Sequence, residues 1–199
     1  MRAALILLVI PLAGCGIDLK QSYPDRRYYD LHVVRPASKP APAERSVLKV
    51  RRLRISPRCE GAGLVTRTGE STFESNYYHL FFSPPASMLT EEARTWLAGA
   101  GLFGNVVDFG STVDATHLVE GSVAALHGDV RPGLPPRAVI ELQLFLIDQR
   151  PSPPTVAFRK DYRREIPVAS PAPADLVKGW TEALAQIFAE FEADLAKVK

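Results

Sequence analysis

The chain has 199 residues, a formal charge of +2 at pH 7 and 46% apolar residues. That length supports one domain with a proper core. The near-neutral balance argues against a nucleic-acid surface, which would be strongly basic.

The first element is an apolar run that follows Arg2 and closes on Leu12-Ala13-Gly14-Cys15. A basic residue, a short apolar stretch and small residues before a cut site form a secretory signal peptide. The run is too short to span a bilayer, which takes about 20 apolar residues. Leu-Ala-Gly-Cys resembles the lipobox of bacterial lipoproteins. That resemblance implies that residues 1–14 are removed and that Cys15 becomes the first residue, carrying covalent lipid; no other cofactor is expected. Gly16 stands where an aspartate would favour retention at the inner membrane, so the expected location is the periplasmic face of the outer membrane of a Gram-negative envelope. With Cys15 lipidated, Cys59 is the one cysteine left. No internal disulfide can then form. Cys59 lies in Ser56-Pro57-Arg58-Cys59-Glu60-Gly61, which reads as a turn and a small packed side chain.

Residues 15–27 form a short lipidated tether reaching at most about 40 Å, and residues 28–199 form the domain. Residues 28–34 predict a first strand. The Pro/Ala-rich stretch 35–43 is a connector that cannot build a core. Residues 47–55 predict a strand whose alternation slips at Arg52, the mark of a bulge or bend. Residues 64–67 and 72–78 predict a hairpin. A helix is expected after Ser83, with the serine as cap and Pro84 at its first position. Leu89, Ala93, Trp96, Leu97 and Ala100 share one of its faces, and Gly101 stops it. Residues 103–107 predict a short strand.

Three longer strands follow at 117–126, 137–147 and 155–166, joined by short turns as an antiparallel meander. The middle one is apolar at nearly every position after Gln143, as in a strand buried on both sides. In the last, Val156, Phe158, Tyr162 and Ile166 share a face. Residues 174–198 predict a long helix with a stripe of Val177, Trp180, Leu184, Ile187, Phe188, Phe191 and Leu195. The expected fold is therefore α+β: one domain with an antiparallel or mixed sheet packed against two amphipathic helices.

Chemistry is sparse. None of His32, His79, His117 and His127 has a second ligand at metal spacing. There is no Gly-x-Ser-x-Gly elbow, and Gly61-Ala62-Gly63 lacks the rest of a phosphate loop. Glu91-Glu92 suits a helix start. The sequence thus points away from an enzyme and from a metal site. The basic run Lys49, Arg51, Arg52, Arg54, Arg58 is either a solvated sheet face or a surface for anionic headgroups or an acidic partner.

Taken together, several segments are similar to the ABC-type transport auxiliary lipoproteins, the PqiC-like group. They are the lipobox, Tyr28-Tyr29-Asp30-Leu31, Val50-Arg51-Arg52-Leu53-Arg54-Ile55, the stretch from Phe73 to Pro85, Trp96-Leu97 with Gly101-Leu102-Phe103, and Leu118-Val119-Glu120-Gly121-Ser122-Val123. The resemblance implies an accessory role in lipid transport across the envelope and in envelope integrity. The implied partners are an MCE-domain conduit protein and an ABC-type permease, with phospholipid as a candidate ligand; self-association stays open. Tyr77, Tyr78, Phe81 and Phe82 are the expected partner-binding face. The alternatives are a periplasmic lipid-binding carrier and a structural lipoprotein that assists an outer-membrane complex.

Overall fold

The computed structural model describes residues 25–42 and 45–198. The expected signal segment, Cys15 and most of the expected tether lie outside the described residues. The elements run β1 (Arg27–Tyr29), β2 (Val47–Val50), β3 (Arg54–Ile55), a 3-10 turn (Pro57–Cys59), β4 (Gly63–Arg67), β5 (Phe73–Phe81), α1 (Pro85–Ala98), β6 (Asn105–Asp108), β7 (His117–Asp129), β8 (Arg137–Asp148), β9 (Thr155–Pro167) and α2 (Pro173–Val198). The fold is α+β: a curled mixed sheet packed with two helices.

β7 is the axis of the sheet. On one side it pairs antiparallel with β8, and β8 with β9, which is the expected meander. On the other side β2, β3 and β4 follow one another along β7, all parallel to it, in the registers Leu48↔His117, Arg54↔Ser122 and Thr66↔Gly128. β6 flanks β2, and β5 with its edge strand β1 flanks β4. The slip at Arg52 is the gap between β2 and β3. There Leu53 turns into the core, and its N–H donates to Thr90 Oγ1 of α1 at 2.9 Å. A helix side chain thus replaces the missing ladder partner.

One face of the sheet is covered by the helices. Trp180, Leu184, Ile187, Phe188, Phe191 and Leu195 of α2 are at most 2% exposed. Each such side chain contributes roughly 1.5–3 kcal/mol through burial. α2 lies across β8 and β9, while α1 covers β2, β3 and β6. The helix meets the sheet closely at Gly179, where a Cβ would stand 2.6 Å from that of Ala138.

Two acids on α2 sit at the edge of this core. Glu192 accepts from Trp96 Nε1 (2.9 Å), Arg35 (2.8 Å) and Lys39 (2.8 Å), which pins the Pro/Ala connector to both helices. Burial would raise its pKa, but these donors together hold the carboxyl below the usual range. Asp194 accepts from Lys160 (2.6 Å), Tyr162 (3.1 Å) and Lys197 (3.0 Å). Lys160 first of all holds its carboxyl down at about 2.

Several expectations are corrected. β1 ends at Tyr29, not at residue 34. Leu31 and Val33 are still buried alternately, but the Val33 N–H donates to Glu92 of α1 (2.7 Å) rather than to a strand. Helix α1 opens one residue late: Pro84 is its cap residue and Pro85 its first position, with no side-chain cap from Ser83. The helix ends at Ala98, with Gly99 as its C-cap. Gly101 turns the chain just beyond at φ +66°, where a Cβ would strike the Pro40 carbonyl. β8 is not buried on both sides, since only alternate residues from Leu142 to Leu146 are fully buried. A bulge opposite Leu146 and Ile147 moves Val156 off the helix-covered face, leaving it 61% exposed.

Candidate docking surfaces

The second face of the β7–β8–β9 meander faces solvent and divides into two halves. Near Arg137 it is a self-neutralised lattice. Arg163 bonds Glu141 (2.6 Å) and Glu165 (2.8 Å), Arg137 bonds Glu165 (3.0 Å), and Gln143 bonds Asp161 (2.6 Å).

Toward the β8–β9 turn the character changes. Phe145, Ile147 and Val156 form an apolar floor, opposite Glu120, Leu118 and Ile147 across the ladders. Arg51, Arg52 and Arg54 rise along one side, and the open groove between them encloses about 340 Å³. The volume is that of a small ligand pocket or of a few partner side chains. Arg51 is ion-paired with Glu120, and its guanidinium lies 4.7 Å from the centre of the Phe109 ring. Arg159 sits 5.5 Å from the Phe145 ring. Arg52 and Arg54 are exposed and have no carboxylate partner among the described residues. The groove therefore offers unpaired guanidinium groups beside uncovered apolar surface. It can bind an anionic group attached to an apolar body, on a protein or on an amphiphile.

The basic run does not act as one surface. Arg51, Arg52 and Arg54 line the groove, whereas Arg58 lines a separate concavity with Arg67, Glu70, Ser71 and Phe73. The floor is hard to read from sequence because β8 stops alternating after Gln143. Apolar residues at 145 and 147 suggest two-sided burial; they are instead an exposed patch. Among the described residues no third helix or further strand covers them.

The four aromatic residues expected on a partner face are split by the strand. Tyr77 is 64% exposed and stands edge-on to the half-buried Tyr78, with ring centres 5.2 Å apart. Phe82 is exposed beyond the far end of β5. Phe81, by contrast, is buried against Trp180 (5.8 Å) and belongs to the core, so it cannot sit on a docking face. The pleat sends neighbouring residues to opposite sides. Tyr77 and Tyr78 stay in ring contact, but Phe81 is turned into the core, so the four residues do not form a single surface.

The remaining reactive residues are dispersed. His79 shares a 2.8 Å hydrogen bond with Tyr29, and His117 shares one of 2.9 Å with Thr116. His32 lies 3.6 Å from Glu92. His127 packs on Phe73, and burial pushes its pKa down. Among the described residues no three His, Cys, Asp or Glu side chains cluster as metal ligands. Cys59 is buried, and burial pushes its thiol pKa up, away from the thiolate that would react. Among the described residues no helix is long and apolar enough to cross a membrane.

The described residues thus form a helix-backed sheet with one open, groove-bearing face. Residues 29–191 match the family of the ABC-type transport auxiliary lipoprotein component, and the chain belongs to that family. The fold recurs in protein XCC0632 from Xanthomonas campestris (TM-score 0.71, 19% identity, 83% of this chain and 92% of that one). A further uncharacterized protein gives TM-score 0.69 at 17% identity over 86% and 99%. The hypothetical protein CT253 from Chlamydia trachomatis gives TM-score 0.50 at 10% identity over 76% and 98%. At these identities the likeness is one of fold alone. No curated protein matches the chain.

Proposed function

We propose that this auxiliary lipoprotein is anchored through lipid on Cys15 to the periplasmic face of the outer membrane. From there it docks the end of an MCE-domain conduit served by an ABC-type permease, and so supports envelope integrity. Residues 1–14 are removed on export, 15–27 tether the domain, and 28–199 do the docking. The family is one of transport accessories rather than an enzyme class. The observation that carries the docking role is the groove: Arg52 and Arg54 stand unpaired over Phe145, Ile147 and Val156 on a face the fold leaves uncovered. Uncovered apolar surface with fixed charge beside it is the composition of a partner site.

The groove replaces the mixed aromatic set as the docking face, since that set includes a core residue. An open groove cannot enclose an acyl chain on every side, so it supports docking over a carrier role.

The test is photo-crosslinking in cells, from a crosslinker placed at Phe145 and, as control, at the exposed Gln186 of α2. An MCE-domain protein captured from Phe145 but not from Gln186, and lost in Cys15→Ala, is the expected result. Recovery of lipid with no protein partner would replace docking with the carrier reading.

A further inference from the structure

The path of the tether gives the domain an orientation. β1 runs parallel to β5 in the register Arg27↔His79. The chain before β1 must therefore come from the side where β5 begins. Residues 25 and 26 follow that path: the Arg26 guanidinium lies 4.5 Å from the Tyr77 ring centre, and Asp25 lines a shallow concavity with Arg27, Asn76, Tyr78 and His79.

The registers extend this end across the sheet. Phe73 pairs with Arg67, Arg67 with Asp129, Asp129 with Arg137, and Arg137 with Pro167. The hairpin tip with Phe73 and the β7–β8 turn with Leu134 thus share one pole of the molecule with the tether. Phe73, Tyr77 and Leu134 are 39%, 64% and 49% exposed. Arg26, Arg27 and Arg58 are exposed beside them. Ten residue steps from Cys15 to Asp25 span at most about 35 Å.

We propose that this pole lies against the phospholipid bilayer that holds the anchor, with Tyr77 and Tyr78 seated among the headgroups and Arg26 and Arg27 facing their phosphates. The inference rests on the anchoring reading above. Three observations choose a bilayer as the occupant: the tether leaves at this pole, it is too short to let the pole drift far, and beside the exposed acids Asp25, Glu70 and Glu74 the pole exposes Tyr77, Arg26, Arg27 and Arg58, residue types that favour a membrane interface. The consequence joins the two surfaces. Glu120 and Ser122, at the groove, lie seven to nine residues along β7 from Asp129, roughly 23–30 Å at strand rise. The groove is therefore held away from the membrane and presented to whatever approaches across the periplasm.

The test uses full-length lipidated protein in vesicles of phosphatidylethanolamine with a minority of phosphatidylglycerol. Bimane is attached at Tyr77→Cys or at Val113→Cys in a Cys59→Ala background, and quenching by doxyl-labelled lipid is read. Val113 is exposed in the loop before β7, at the opposite pole. Quenching several-fold stronger from Tyr77→Cys is the expected result. Equal quenching from the two sites, or none from Tyr77→Cys, overturns the orientation while the anchor stands. Mass spectrometry of the N-terminal peptide separates the other failure: without diacylglycerol on Cys15 the anchoring reading falls, and this inference with it.

Discussion

The two faces of the β7–β8–β9 meander are built from the same strands and obey different rules. On the covered face Leu142, Leu144 and Leu146 meet Trp180, Phe188 and Phe191, and nearly every apolar atom is out of water. On the open face Phe145, Ile147 and Val156 are equally apolar but stay partly in water beside arginines. The covered face holds the domain together. The open face leaves Phe145 and Ile147 half-buried and Val156 exposed, so it has apolar surface left over for binding. The difference can be broken or sharpened by substitution on each side.

The largest effect belongs to the covered face. Trp180→Ala removes a side chain that is 0% exposed and bonded to the His127 carbonyl. It is expected to cost about 3–5 kcal/mol, or roughly 10 °C in Tm for a domain of this size, read by thermal or urea unfolding. Next comes the Glu192 hub. Glu192→Ala leaves Arg35, whose side chain is 12% exposed, without its carboxylate, at an expected cost of about 3 kcal/mol. The double variant Glu192→Met with Arg35→Met is expected to recover part of that loss, because a buried ion pair can be exchanged for apolar packing. No recovery would show that Lys39 and Trp96, not Arg35, carry the hub.

The third effect is a pH dependence. The Asp194 carboxyl is held at about 2 in the folded protein, chiefly by Lys160, against roughly 3.9 in an unfolded chain. Its contribution is therefore complete above about pH 4 and is lost as pH falls through about 2. Urea midpoints measured across that window should fall for the native sequence, and Asp194→Asn should flatten part of the slope. An unchanged slope would place the acid sensitivity elsewhere, Glu192 being the next candidate.

The covered face is largely legible in the sequence, and the open face is not. The α1 and α2 stripes follow the helical period, so Leu89, Trp96, Leu184 and Phe188 can be placed in the core from their spacing alone. The meander is legible because turn residues separate three long apolar runs. Glu192 and Asp194 give no such sign: apart from Lys197, one helical turn from Asp194, their partners come from residues 35, 39, 96, 160 and 162, and no local pattern records a contact that distant. Val156 is misplaced by its spacing because one bulge reverses the pleat, and a bulge is set by the pairing of two strands rather than by either alone. The groove stays hidden because periodicity reports that a residue is apolar, not whether another element covers it.

The smallest stability effect tests the open face itself. Arg52 and Arg54 are exposed and without carboxylate partners among the described residues, and Val156 is 61% exposed. The variant Arg52→Ala, Arg54→Ala, Val156→Ser removes no packed atom of the core and breaks no ion pair. It should change stability by no more than about 0.5 kcal/mol per site. The same variant removes the guanidinium groups and part of the apolar floor that a partner would meet. Crosslinking from Phe145 should therefore collapse while the Tm holds. A loss of both would mean that the floor is a packing surface within this fold, and the contrast between the faces would vanish. Retention of both would leave the sheet face as solvated surface and send the search for the partner to the β1–β5 edge, where Tyr28 and Phe82 are exposed.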